Sequence, residues 1–270
     1  MTTPSPVLFI AHGSPMFALE PGEAGAALHT LSRELAPPRA VLVISPHWET
    51  ELPTVGTAEA VAGQRLETIH DFGGFDPRLH AIQYLANGSP EAAQEVLAAL
   101  QATGLPATSD PRRGLDHGAW VPLRYLFPSA DVPVVPLSIQ HHGGPGHAYR
   151  VGQALAPLAQ QGWLIVATGN ITHNLRDWQM ASGGMAIDPS YAQRFSDWVA
   201  QQLAAHNAAA LLQYRELQGE ALRAQPRDEH LLPLFTALGA AGPDRHPRAV
   251  HRGLSDHVIA MDSTIFEAGC

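Results

Sequence analysis

Short apolar runs recur along this chain, and several of them end on a histidine. Val7–Ala11 leads into His12, Ala40–Pro46 into His47, and Val132–Ile139 through Gln140 into His141-His142. Trp163–Gly169 is followed by Asn170 and then by His173. Runs of this length, rich in Val, Ile and Leu and bounded by Gly and Pro, predict strands buried on both faces. Between them the spacing changes to a helical period, as at Ala93, Val96, Leu97 and Leu100. Helices are expected over Ala24–Leu35, Pro90–Thr103, Gly146–Gln161 and Pro189–His206, with a further pair across Ala208–Leu222 and Glu229–Ala240. Pro90 and Pro189 suit the first turns of their helices. Ala249–Arg252 and Val258–Ile265 are expected to pair as antiparallel strands at a sheet edge. The alternation predicts a single α/β domain over residues 1–270, with a central, largely parallel or mixed sheet and helices on both faces. Ligands of such sheets bind beyond the carboxyl ends of the strands, the edge to which these histidines are delivered.

Composition narrows the partners more than the fold. With 45% hydrophobic and 15% charged residues the chain is too apolar for disorder. A formal charge of −9 argues against nucleic acid and anionic membranes. All 16 basic side chains are arginine, which excludes Schiff-base lysine chemistry and a P-loop. The one cysteine, Cys270, leaves no internal disulfide, cysteine zinc cluster or iron–sulfur centre. Residues 1–6 lack a basic leader segment and the run after them is too short to span a bilayer, so a cytoplasmic protein is expected. The Gly- and Pro-rich stretches 53–90 and 104–118 are long for connections, a length that often goes with function.

The candidate chemistry lies in the histidines. His12 and His47 follow equivalent strands, and neutral imidazole is the commonest protein ligand for a metal. Each alone reads equally well as a strand-end side chain satisfied by the backbone. Gly13-Ser14 lacks the Gly-x-Ser-x-Gly elbow of a serine hydrolase. His173 follows the turn Gly169-Asn170-Ile171-Thr172, and His117 lies in the glycine-flanked loop Gly114–Gly118 beside Asp116. His230 is expected to open a helix with Asp228 near its cap, where the helix dipole keeps the ring neutral. In His70-Asp71-Phe72-Gly73-Gly74-Phe75 the paired glycines permit close approach to a ligand and the aromatics can pack on a ring; a structural loop explains that segment equally well. His29, His80, His147, His206 and His246 read as solvated, His251 and His257 flank the late strand pair and read equally well as surface residues, and one of His141 and His142 is a candidate to line the pocket.

Six motifs then carry a resemblance: Ala11-His12-Gly13-Ser14-Pro15-Met16, Ser45-Pro46-His47-Trp48, His70–Phe75, Asp116-His117-Gly118-Ala119-Trp120, Gly169–Leu175 and Glu229-His230-Leu231-Leu232-Pro233-Leu234. In this order they resemble the class III extradiol ring-cleavage dioxygenases, specifically the 4,5-DOPA dioxygenase branch, over nearly the whole chain. The resemblance implies opening of a catechol (DOPA-like) ring with O2 at non-haem Fe(II), with Zn(II) able to occupy the same site. It places the metal ligands on His12, His47 and His230, the acid/base on His173, and a substrate contact on His117. His70, Phe72 and Gly73 are expected on the substrate side. Some members of the superfamily use a carboxylate as third ligand, and Glu229 adjoins His230, so either can face the metal. His173 is a possible fourth ligand.

Two other functions fit parts of the pattern. Open histidine sites also activate water in zinc hydrolases, although no His-Glu-x-x-His pair is present. A non-catalytic metal-binding relative is the third reading, because fold does not fix function.

Overall fold

Eight strands form one sheet whose middle is built from the four apolar runs. The computed structural model describes residues 4–59 and 65–268; Cys270 and part of the first long loop (60–64) lie outside them. In chain order the strands are β1 (Val7–Ala11), β2 (Ala40–Glu49), β3 (Thr54–Gly56), β4 (Thr108–Asp110), β5 (Val134–Ile139), β6 (Trp163–Gly169), β7 (Arg245–His251), β8 (Leu254–Ser255), β9 (Ile259–Ala260) and β10 (Ser263–Ala268). The helices are α1 (Gly22–Glu34), α2 (Pro90–Ala102), α3 (His117–Leu126), α4 (Gly144–Gln160), α5 (Leu175–Ser182), α6 (Ser190–Ala204), α7 (Ala208–Leu212), α8 (Tyr214–Leu217), α9 (Ala221–Ala224) and α10 (Leu232–Ala241).

The sheet order is β4-β3-β5-β2-β6-β1-β10-β7, with β8 and β9 forming a separate hairpin. β5, β2, β6 and β1 run parallel, and antiparallel pairings flank them at β3–β5, β1–β10 and β10–β7. Every residue of β1, β5 and β6 is buried, as strands covered on both faces must be. α4 and α10 pack together as one layer over β6, and α1 and α3 pack together as another, with α3 against β2. Parallel β1, β2 and β6 therefore bring His12, His47 near the carboxyl end of β2, and the turn toward His173 to one edge.

Four regions differ from expectation. The segment after Asp116 is a helix rather than a loop, in spite of Pro122 in its interior. An internal proline costs about 3 kcal/mol. Burial of Trp120, Val121, Leu123 and Leu126, at about 1.5–3 kcal/mol for each large apolar side chain, outweighs it. α5 also had no visible period, and the stretch 208–224 breaks into three short helices instead of one. Near the C-terminus the antiparallel pair is β7 with β10, so the edge strand is β7 and β10 sits inside it against β1. Val258–Ile265 divides between the small hairpin and β10.

Candidate active site

Backbone hydrogen bonds fasten three chain segments together at the carboxyl edge of the sheet. The His12 N–H donates to the Gly169 carbonyl at 3.1 Å, and the Asn170 N–H donates to the His230 carbonyl at 3.0 Å. A Cβ on Gly169 would lie 2.1 Å from the His230 oxygen, so only glycine lets the end of β6 approach the His230 turn this closely. Gln225 donates to the carbonyls of Asn170 and Ile171 at 2.7 and 2.9 Å, and the His173 N–H donates to Ala224 at 2.8 Å. The turn bearing His230 immediately precedes α10. Its Asp228 carbonyl, rather than the expected side chain, accepts from Leu231 and Leu232. On the other side Asp116 caps α3, and its carboxylate accepts from the Ser45 hydroxyl at 2.5 Å. Gly118 in the first turn of α3 lies against His47, where a Cβ would fall 2.8 Å from the ring.

These connections bring His12, His47 and His230 into a triangle, with ring centroids 5.0, 5.2 and 5.0 Å apart. In each of the three the Nε2 atom is buried and has no hydrogen-bond partner. The opposite nitrogens are held. His12 Nδ1 lies 2.8 Å from the Gly13 carbonyl, His230 Nδ1 2.9 Å from Glu229 Oε1, and His47 Nδ1 3.4 Å from Asp71 Oδ2. In His12 and His230 the Nδ1 that is hydrogen-bonded to an oxygen carries the proton, which leaves the Nε2 lone pair directed inward, and the looser contact with Asp71 favours the same tautomer in His47. Three buried lone pairs without donors are costly unless a cation accepts them, so the donor set fits a metal ion. Burial, then the neighbouring histidines, hold His12 and His230 well below the usual imidazole range, and His47 is pushed down to about 4 by burial and then by His117. All three rings are neutral at pH 7, as ligation requires.

Other donors stand near this triangle but are engaged differently. One ligand atom from each of His12, His47 and His117 lies within 4.8 Å of the others, and the same holds for His173, Glu229 and His230. His117 directs Nδ1 at both oxygens of Asp71, each at 3.0 Å, and its N–H donates to Asp71 at 2.9 Å. Glu229 faces the Nδ1 side of His230, behind the ring rather than beside its free Nε2. His173 stacks on His230 with centroids 3.4 Å apart and its Nδ1 3.7 Å from Glu229. Burial would raise the carboxyls of Asp71 and Glu229. The hydrogen bonds from His117 at Asp71, and the His173 and His230 rings beside Glu229, overcome it and hold both well below the usual carboxylate range.

A cavity of about 470 Å³ opens over the triangle. All five histidines line it, with Phe72, Phe75, Leu175, Trp178 and Ile259 as apolar walls and Glu49, Arg227 and Glu229 as charged groups. An apolar pocket of this size with a few convergent polar groups suits a small aromatic ligand. His70 and Gly73 do not line it: the His70 Nε2 faces the Ile82 carbonyl at 3.0 Å and its ring packs near Phe72, His80 and Trp120. Their motif reaches the cavity through Phe72 and Phe75 and reaches the histidines through Asp71. His141 turns toward Asp228 at 3.2 Å, outside the lining. Asp71, Glu49 and Arg227 are functional-site residues that carry no expected role in the sequence. An aspartate inside a motif beside histidines was the available signal for the first; the other two had none.

The comparisons agree with this geometry. The family model of the catalytic LigB subunit of aromatic ring-opening dioxygenase matches residues 6–266. A 4,5-DOPA dioxygenase extradiol of Beta vulgaris is 37% identical over 262 residues, covering 96% of this chain and 95% of that protein. One from Escherichia coli K12 is 36% identical over 245 residues, covering 88% and 86%. The crystal structure of an uncharacterized Escherichia coli K12 protein superposes with a TM-score of 0.77 at 28% identity, over 97% of this chain and 99% of that one. A chain that matches this family over nearly its whole length, and whose cavity floor is a set of neutral imidazoles fit for a metal, belongs to the LigB family of aromatic ring-opening dioxygenases and is a metal-dependent extradiol enzyme of its 4,5-DOPA branch.

Proposed function

We propose that this chain is a non-haem Fe(II) extradiol dioxygenase that opens the ring of a DOPA-like catechol with O2, and that His12, His47 and His230 hold the metal. The observation that carries the reading is the triangle of imidazoles whose three Nε2 atoms are buried and lack partners. Zn(II) suits the same nitrogens, and a three-histidine site leaves positions open for a chelating substrate and O2. Bound Fe(II) supplies the redox chemistry and eases loss of a proton from a chelating catechol. The protein supplies the rest. Phe72, Phe75 and Trp178 hold an aromatic ring and exclude water from it. His173, on the cavity wall beside His230, takes the proton of the second hydroxyl and returns it as the ring opens. His117, with Nδ1–H directed at Asp71, presents Nε2 to accept a hydrogen bond from a substrate hydroxyl.

The test is anaerobic loading with Fe(II), followed by an oxygen-electrode screen of catechols and mass analysis of products. One O2 consumed per catechol, with both oxygen atoms in the product, is expected; iron binding without turnover of any catechol overturns the reading. His173→Gln separates the roles. It is expected to keep the metal while turnover falls by about two to four orders of magnitude, the scale of a lost general acid–base group. Loss of iron in step with activity would instead make His173 a ligand.

A further inference from the structure

Arg227 is the only arginine lining the cavity, and with no lysine in the chain it is the one permanent cation there among the described residues. It sits between two lining carboxylates: its Nη2 lies 2.7 Å from Glu49 Oε1, and its Nε 3.5 Å from Glu229 Oε2. Arg227 is about half exposed, Glu49 a third, and Glu229 nearly buried, so the pair Glu49–Arg227 forms the wet end of the site. Glu49 lies two residues beyond His47 on β2, and Arg227 three residues before His230. All four line one cavity, so a ring whose hydroxyls face His47 and His230 has this pair within the same enclosure to receive its substituent.

We propose that Glu49 and Arg227 read the head group of an α-amino-acid side chain on the substrate, Arg227 its carboxylate and Glu49 its ammonium. The inference rests on the dioxygenase reading and adds the groups that select the substrate. The charges decide the class. Glu49, Arg227 and Glu229 sum to −1, so a substrate bearing a carboxylate alone adds an anion to an anionic rim. An amine alone leaves the planar, two-pronged donor of Arg227 without a new partner. A zwitterion exchanges one internal ion pair for two complementary ones, and a partly exposed pair of this kind is weak enough to rearrange.

The experiment compares L-DOPA, 3-(3,4-dihydroxyphenyl)propionate and dopamine, which differ only in these two charges. kcat/KM is measured with the iron-loaded enzyme, and binding by calorimetry with the zinc-loaded protein, which does not turn over. L-DOPA is expected to be preferred over each of the others by about 10- to 100-fold, the scale of a hydrogen bond to a charged group. Arg227→Gln is expected to erase the preference over dopamine, Arg227→Lys to keep part of it, and Glu49→Gln to erase the preference over the propionate. Metal content and melting temperature identify any variant that has lost its fold, and the ratios between substrates in the parent protein stand independently of the variants. Equal use and equal binding of all three catechols overturn the inference, as do variants that lower the melting temperature but leave the ratios unchanged. If no catechol is turned over but the calorimetric ratios hold, the head-group site stands and the dioxygenase reading falls.

Discussion

At the scale of single residues, Asp71 is the group whose removal tells most about the site. It accepts from the backbone and ring of His117 and lies 3.4 Å from His47, so one carboxylate fixes the orientation of two rings. Such groups behind a metal centre are worth about 10- to 100-fold in activity or metal affinity. Asp71→Asn is expected to lower turnover by that factor. Because part of its effect runs through His117, the double variant with His117→Phe is expected to lose less than the product of the two single losses. Kinetics of the two single variants and the double variant check this, and fully additive losses would show that Asp71 works by another route.

At the scale of elements, the site depends on how closely β6 approaches the turn before α10. Gly169→Ala would place a methyl group 2.1 Å from the His230 carbonyl, so the backbone must shift rather than a flexible side chain. A loss of about 1–3 kcal/mol in stability is expected from such overpacking. The shift also moves His230 relative to His12, so metal affinity is expected to fall together with stability. Denaturant unfolding and a metal titration on the same variant check both; wild-type affinity at reduced stability would separate the turn from the site.

At the scale of the whole molecule, neutral buried rings make stability depend on pH. The unfolded chain binds a proton at His47 near pH 6.5, whereas in the folded state that ring is held down to about 4. Between these values the unfolded state binds more protons, so this term costs nothing above about 6.5 and destabilises the fold progressively as pH falls toward 4. For His47 alone the loss is about 3 kcal/mol, and His12 and His230 extend it to lower pH. Unfolding of the metal-free protein at pH 7 and pH 5 checks the sign; equal stability at both would contradict neutral, buried rings. Metal binding opposes the loss. Free metal at 100 times its dissociation constant adds about 2.7 kcal/mol at neutral pH, and a chelator removes that increment, which melting curves with and without metal measure. Among the described residues no helix is long and apolar enough to cross a membrane.

The sequence by itself determined the sheet's parallel middle, because β-branched runs bounded by Gly and Pro have few other ways to bury both faces. It also determined which histidines stand at strand ends, and its six ordered motifs carried the family. It could not reveal α3, whose Pro122 and His117-Gly118 start argue locally for a loop; only the burial of Trp120 and its apolar neighbours overrides that preference. Nor could it rank His70 against Asp71, adjacent residues of one motif. The chain's path turns the aspartate toward His117 and leaves the histidine on the Ile82 carbonyl. Glu49 and Arg227 are 178 residues apart, and nothing local marks either one. Contacts of that separation exist only after the sheet has closed, since local spacing encodes which face a residue takes and tertiary packing decides what it meets there.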